Sequence, residues 1–387
     1  MPLRFWWVTN IPTPYRNFTF ERMHALLPAH GIDFRVLYMA WSEPRRTWRF
    51  TAADLKYPAK VYGGFHRPLR GVPMHLNPEL LFDLRRNPVD AVMVGGYSSP
   101  SHALAAFVTH PRTATILGVE TNPASEVRSS GPARWLKHHV MARYDAYLVP
   151  QQSSRDFVVS VTPKAATRTF FDFPNLIDPA VFRDRVEARR ADRDGIREKL
   201  GVTSGQQLWL CPARLAPEKG IAPFLETMKG LTGVRLVIAG DGPLRGALEE
   251  QVREASLPVT LFGNATQDQM VELYAAADLF VLPSLGDPSP LSTIEATAAG
   301  LPLVLSPRIG NATDVLDVDR NGWALRLEAR QDAELLRRVA STSLAQLREM
   351  GRRSLDRFHQ RFDPDTCIVR LAADVTSLVE RKQRGAL

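Results

Sequence analysis

The chain has 387 residues, 44% apolar and 23% charged, so two domains of ordinary size are expected and a disordered chain is excluded. No apolar run reaches the ~18 residues a membrane span needs, and the start MPLRFWWVTNIPTPYR lacks a signal peptide's apolar core and cleavage site, so a cytoplasmic protein is expected. The two cysteines, Cys211 and Cys367, lie far apart and form no C-x-x-C, which argues against a disulfide framework or a structural zinc site.

The net charge of +8 is unevenly placed. Residues 1–180 carry 21 Lys and Arg against 13 Asp and Glu, whereas residues 181–387 carry 28 of each. A basic first half suits a solvated Arg-rich surface, an anionic lipid surface, an acidic acceptor or nucleic acid. The aromatic–basic interleaving of nucleic-acid readers is absent, so no nucleic-acid partner is expected.

In chain order, the first half offers strands at FWWVTN (5–10), DFRVLYMA (33–40), DAVMVGG (90–96), ATILGV (114–119) and DAYLVP (145–150). Their apolarity is continuous rather than alternating, which is the mark of parallel strands covered on both faces by helical crossovers. The segment DRVEARRADRDGIREKLGVTSGQ (184–206) is highly charged at first and reads as a linker followed by a short helix, Gly195–Leu200. The rhythm then resumes with QLWLCPA (207–213), RLVIAGD (235–241), VTLFG (259–263), DLFVLPS (278–284) and LPLVLS (301–306). The tail from Asp365 to Leu387 reads as a last helix. The expected class is α/β, with two doubly wound, Rossmann-like domains. Ligands of such sheets bind beyond the carboxyl ends of the strands, and with two sheets the cleft between them is the default site.

The stretch LPSLGDPSPLSTIEATAAGLPLVLS (282–306) carries two carboxylates in an apolar setting, Asp287 and Glu295. The loop 285–291 leaves a strand and enters a helix spanning 292–300. Free N–H groups and the positive end of the helix dipole suit a phosphate there. Glu295, one turn in, can accept hydrogen bonds from vicinal hydroxyls such as those of a ribose. The spacing Ser292-x-x-Glu295 equally fits a capping box. In PARLAPEKG (212–220), Arg214 and Lys219 follow a strand end, where two cations suit a departing diphosphate, although on their own they also fit two surface charges. AGDGPLRG (239–246) has the spacing G-x-G-x-x-x-G and reads as a tight turn rather than a dinucleotide fingerprint. Asp317-Val318-Asp319 reads as a surface loop with no metal bound. His138 and His139 lie in RWLKHHVMAR, an amphipathic basic helix that can also touch a membrane surface.

Taken together and in order, RLAPEKG, LVIAGDGPLRGALEE, VTLFGNATQDQMVELYAAADLFVLPS and DPSPLSTIEATAAGLPLV resemble the family-4 retaining glycosyltransferases of GT-B fold, and FPNLIDPAVF resembles the segment that precedes that family's linker. The resemblance is close over about residues 170–330. It implies that Glu295 holds the nucleotide ribose and that Asp287 stands where the first Glu of an E-x7-E motif contacts the donor sugar. Arg214 and Lys219 match the diphosphate-binding pair. Pro290, Leu291 and Ser292 match the loop whose amides meet the distal phosphate, and Pro290 has no N–H to give. Gly240, Gly263 and Asn264 fall among the donor-binding positions. More loosely, NIPTPYRNFTFERM (10–23) resembles a first strand–helix loop, making Asn10, Tyr15 and Arg16 acceptor candidates. Glu120 stands near the place of a histidine found in many members and is counted with Arg214, Lys219 and Asp287 in the catalytic set.

The resemblance implies domains at 1–182 and 183–367, with a helix at about 368–387 packing back on the first. It implies transfer of a sugar from a nucleotide-diphosphate donor, UDP-sugar favoured, to an acceptor hydroxyl, with retention and without metal or cofactor. The expected partners are that donor and a glycan, lipid-linked sugar or small-molecule acceptor, with peripheral membrane contact through the basic first half. A sugar-nucleotide epimerase and a non-catalytic sugar-nucleotide-binding protein are the alternatives.

Overall fold

A computed structural model describes residues 1–43, 49–69, 72–121 and 131–385, and the chain divides into two compact units: Met1–Leu176 with Pro364–Leu387, and Ile177–Asp363. In the first unit the strands are β1 (Leu3–Thr9), β2 (Ile32–Tyr38), β3 (Ala59–Val61), β4 (Phe65–Leu69), β5 (Val72–Leu76), β6 (Ala91–Val94), β7 (Ala114–Gly118), β8 (Ala146–Val149) and β9 (Thr169–Asp172). Seven of them form one sheet in the order β3-β2-β1-β6-β7-β8-β9, each neighbouring pair parallel. β4 and β5 form a separate antiparallel hairpin. The five strands expected from sequence are all present. The additions are the two edge strands, three and four residues long, and the hairpin, all too brief or too polar to announce themselves by pattern.

Both faces of this sheet are covered, which explains the unbroken apolar runs. Phe5, Trp7, Phe34, Tyr38 and Phe171 pack on one face, with Ile368, Leu371 and Val375 of the terminal helix Pro364–Gln383. Val8, Leu37, Val92, Val94 and Phe157 pack on the other. The terminal helix is held at both ends. Arg22 bonds Asp365 through two 2.5 Å contacts, and Lys382 reaches Asp145 at 2.9 and 3.0 Å.

The second unit has one six-stranded sheet: β10 (Gln207–Pro212), β11 (Val234–Ala239), β12 (Val259–Gly263), β13 (Leu279–Leu282), β14 (Leu303–Leu305) and β15 (Gly322–Ala324), in the order β12-β11-β10-β13-β14-β15. All its pairs are parallel. Three expectations are corrected. The charged segment read as a linker is helical from Ala180 to Lys199, through a π turn and short α and 3-10 pieces. Three of its arginines turn inward: Arg193 and Arg197 both reach Asp278, at 2.5 and 2.8 Å, and Arg190 donates to the Ala299 carbonyl at 2.6 Å. The unit boundary lies at Leu176/Ile177 rather than 182/183, because Phe182 packs edge-on against Tyr274, with ring centroids 5.9 Å apart. The return to the first unit lies at Asp363/Pro364 rather than 367/368, because the terminal helix begins at Pro364.

Among the described residues, no helix is long and apolar enough to cross a membrane. The first unit carries 25 Lys and Arg against 15 Asp and Glu, the second 24 against 26, so the cationic excess is a property of one unit.

Candidate functional site

In the second unit the strands are parallel, so the loops that follow them emerge side by side at one sheet edge. After β10 the chain turns through Ala213–Gly220 and docks on the loop after β13, where the Leu285 amide donates to the Glu218 carbonyl at 2.8 Å. Gly220 sits at φ 64°, where a Cβ would lie 2.4 Å from the Pro283 carbonyl oxygen. That contact carries Lys219 to Asp287, and the ammonium forms an ion pair with the carboxylate. Asp287 is stitched in turn to the segment after β14, its carbonyl accepting from the Gly310 amide at 2.8 Å. The loops after β11 and β12 join the same edge. The Gly240 amide donates to the Gly263 carbonyl at 2.8 Å, and a Cβ on Gly240 would meet the Ala213 carbonyl oxygen at 2.1 Å. A strand-end turn pressed this closely on its neighbour leaves room for backbone alone.

The helix of the opening stretch spans Leu291–Ala298, with Pro290 as its N-cap residue and no side-chain cap. The capping-box alternative for Glu295 is therefore not formed. The carboxylate, only 7% exposed, accepts a 2.8 Å hydrogen bond from the Tyr274 hydroxyl. The Pro290 carbonyl is bonded by Thr293 Oγ1 at 2.7 Å and Asn311 Nδ2 at 3.2 Å, which fixes the start of the helix. Leu291 and Ser292 occupy its first turn, where backbone N–H groups have no intrahelical acceptor.

Of the residues singled out from sequence, the structure joins Lys219 to Asp287 and Gly240 to Gly263, and places Leu291, Ser292 and Glu295 on one helix. Arg214 stands apart. It is exposed and bonds Glu218 at 2.7 Å, an i,i+4 surface pair. Asn264 is exposed just beyond β12. Cys211 lies beneath this edge, and burial pushes its thiol up to about 12, which leaves it inert as a nucleophile. Asp317 pairs with Arg320 at 3.3 Å, and Asp319 takes φ 62° in the turn before β15. Among the described residues, no group of three or more His, Cys, Asp or Glu is placed to hold a metal ion. Tyr274 went unnoticed in the sequence because no spacing rule links a residue on one helix to a carboxylate on the next.

The first unit gathers its own set at the carboxyl edge of its sheet. Arg16, in the first turn of helix Pro14–Leu26, donates to Thr9 Oγ1 at 2.6 Å and to Glu120 Oε1 at 2.7 Å. The pair borders a crevice whose walls include Gly95, Gly118, Leu148 and Phe173. Tyr15 lies in the same turn and is half-buried. Asn10 turns instead toward Glu43, donating to Oε1 at 3.1 Å. His138 meets the Val161 carbonyl at 3.1 Å, and the His139 ring lies against Trp135, tilted by 33° with centroids 3.9 Å apart, so both are committed to surface packing.

Residues 192–352, nearly all of the second unit, match the family model described as Glycosyl transferases group 1. Over that span, under half of the chain, the second unit is similar to that family. Among the curated relatives, the alpha-monoglucosyldiacylglycerol synthase of Streptococcus pneumoniae is 29% identical over 166 residues, 41% of this chain and 37% of that protein. The D-inositol 3-phosphate glycosyltransferase of Segniliparus rotundus is 30% identical over 179 residues, 42% of this chain and 38% of that protein. The chain thus spans under half the length of the curated relatives it matches. In fold the likeness covers both units. The crystal structure of Anabaena HepE in complex with UDP aligns over 97% of this chain and 100% of its own, with TM-score 0.73 and 17% identity. The lipopolysaccharide-biosynthesis glycosyltransferase WaaG aligns over 96%, with TM-score 0.62 and 17% identity. Two Rossmann-like units of this kind constitute the GT-B fold.

Proposed function

We propose that this chain is a retaining glycosyltransferase that moves a sugar from a nucleotide-diphosphate donor to an acceptor hydroxyl. The observation that carries the reading is the meeting of Lys219 and Asp287 on the loop that starts the Glu295 helix, at one edge of a group 1 unit. In this reading the buried Glu295, oriented by Tyr274, accepts from the ribose hydroxyls. The amides of Leu291 and Ser292 face the distal phosphate. Lys219 and Arg214 stabilise charge that develops on the departing diphosphate, which lowers the barrier to breaking the glycosidic bond. Arg214 is suited to this because its exposed pair with Glu218 is weak and is exchanged for phosphate at small cost. Asp287 holds Lys219 and meets the donor sugar. The leaving phosphate accepts the acceptor proton on the same face, so no metal and no second carboxylate are required.

A uridine nucleotide is favoured, since HepE, similar in fold, is solved with UDP and with UDP-glucose. A corynebacterial relative named for GDP-mannose makes guanine the competing base. The acceptor belongs to the first unit, around Asn10, Tyr15, Arg16 and Glu120. Exposed Trp135 and Leu136 on the helix that also carries Arg134 support peripheral membrane contact there.

Calorimetry with UDP, GDP and their sugars is the test, followed by product analysis with and without an acceptor panel. Glu295→Ala and Lys219→Ala are expected to weaken donor binding at least tenfold and to abolish transfer, with circular dichroism unchanged. EDTA is expected to leave the rate unaltered. Parental binding and turnover in both variants would remove the site assignment. An isomerised sugar nucleotide formed from donor alone would favour the epimerase.

A further inference from the structure

The helix Leu291–Ala298 begins at the candidate donor edge, and its other end lies about 12 Å away. A groove of about 540 Å³ opens there, lined by Arg183, Arg190, Ala299, Gly300, Arg348 and Arg352. That volume falls within the range of about 300–1,000 Å³ typical of small-molecule sites. Asp184 and Glu187 also line it, so four arginines stand against two carboxylates. The unit as a whole carries 24 Lys and Arg against 26 Asp and Glu, so the groove departs in sign from its surroundings.

The arginines come from two elements. Arg183 and Arg190 belong to the helical segment 180–199, and Arg348 and Arg352 lie one turn apart on one face of helix Leu344–Arg361. Gly351, beside Arg352, presses on Gly300: a Cβ there would lie 2.1 Å from the Gly300 carbonyl oxygen. The two segments meet backbone to backbone, and arginines flank the contact. Arg348 has no hydrogen-bond or ion-pair partner among the described residues. Arg352 meets Glu349 on its own helix, and Arg183 meets the adjacent Asp184 at 2.7 Å. Such local pairs are weak and are exchanged at small cost. Arg190 is more firmly placed, donating to the Ala299 carbonyl at 2.6 Å and meeting Glu187 at 3.0 Å. The carbonyl end of a helix disfavours an anion, and this contact offsets that bias. Burial lowers the Arg190 pKa below the usual guanidinium value, Glu187 opposes the fall and Arg193 adds to it. A guanidinium offers a planar fork that fits carboxylate or phosphate through two parallel N–H···O bonds. One carboxylate satisfies one fork. Several forks around one groove suit an anion with more oxygens and more than one charge.

We infer that this groove is an anion-binding site, apart from the candidate donor edge, which takes a small phosphorylated molecule carrying at least two negative charges. The helix that separates the two places keeps this ligand distinct from the donor diphosphate. The inference does not rest on the glycosyltransferase reading, because every residue it uses lies outside the donor set.

Pyrophosphate is the probe, titrated by calorimetry at an ionic strength of about 0.15 M, where loose surface attraction is largely screened. The candidate donor edge is expected to take the same probe, so two kinds of variant are compared. Arg348→Glu reverses an exposed charge that has no partner to lose, and Lys219→Ala disables the donor edge. The parent should show two binding components. Arg348→Glu should weaken one of them by about tenfold or more, the loss of a charge-assisted hydrogen bond, and leave the other. Lys219→Ala should do the converse, and Arg352→Glu should repeat the effect of R348E. Circular dichroism and the urea midpoint should stay at parental values in R348E. Binding that is abolished by K219A and untouched by R348E and R352E refutes the groove, as does a parent that binds no pyrophosphate. Citrate, a carboxylate anion of comparable charge, should bind the groove more weakly, and equal affinity overturns the phosphate assignment. Binding that is lost in R348E and wholly kept in K219A upholds the groove and removes the donor reading instead.

Discussion

His102 illustrates how a single buried side chain sets a property of the whole. It is 2% exposed, its Nε2 has no hydrogen-bond partner among the described residues, and burial holds its imidazole neutral down to about 3. The unfolded chain takes up a proton near the ordinary value of ~6.5, the folded one does not. Stability from this residue is therefore complete above ~6.5 and is lost progressively as the pH falls from there towards 3. His102→Leu removes both the titration and the orphaned nitrogen, an orphan that costs ~1–3 kcal/mol. The variant is expected to match or exceed the parent in urea-unfolding midpoint at pH 7.5, and to widen its advantage at pH 5. A parental slope between those values would contradict the assignment. His102, His75 and Glu43 share a common reason for escaping notice in the sequence. A lone histidine or glutamate carries no spacing signal, and its importance comes from neighbours on other strands. Glu295 was legible because a helix start, a strand end and a matching motif surround it locally.

At the scale of elements, the strand-end turns of the second unit are built around glycine for a steric reason. Gly240 has φ 150°, and its missing Cβ is what allows the turn after β11 to lie against the Ala213 carbonyl. Gly240→Ala must push that turn away from the one that carries Arg214 and Lys219. The cost is expected at roughly 2–4 kcal/mol, or a Tm lower by about 5–10 °C for a unit of this size. Donor affinity should fall with it, and a thermal melt with UDP titration reads both. A melt unchanged from the parent would show that the turn is not tightly packed. The helical segment 180–199 teaches the opposite lesson. Its composition suggests a solvated linker, yet Asp278, 7% exposed at the side chain, is met by both Arg193 and Arg197. Charge pairing onto a neighbour converts a sequence with little apolar content into ordered structure, and no local pattern reveals where the partner lies.

At the scale of the molecule, the chain leaves its first unit at Leu176 and returns to it at Pro364. The returning helix buries Ile368, Leu371, Val375 and Leu378, each at 2% exposure or less. At ~1.5–3 kcal/mol for each large apolar side chain, these four contribute on the order of the whole stability of a domain. A chain ending at Asp363 is expected to keep the second unit folded and to lose cooperative unfolding of the first. Limited proteolysis should then release a fragment near 177–363 that still binds UDP. A truncated protein with the parental protease pattern would show that the helix is dispensable.

The sequence by itself determined the alternation of strands and helices, the α/β class and the motif positions of the second unit. It could do so because parallel crossovers set consecutive strand ends side by side, so that motifs far apart in the chain are gathered at one edge without further information. Only the tertiary structure decided which charge meets which. Lys219 finds Asp287 across 68 positions, and Arg16 finds Glu120 across 104. Glu43 is paired with His75, Glu295 with Tyr274 rather than a helix cap, and the last helix with a core begun at the first strand. Those pairings depend on side-chain reach across elements that packing brings together, and no periodicity along the chain encodes them.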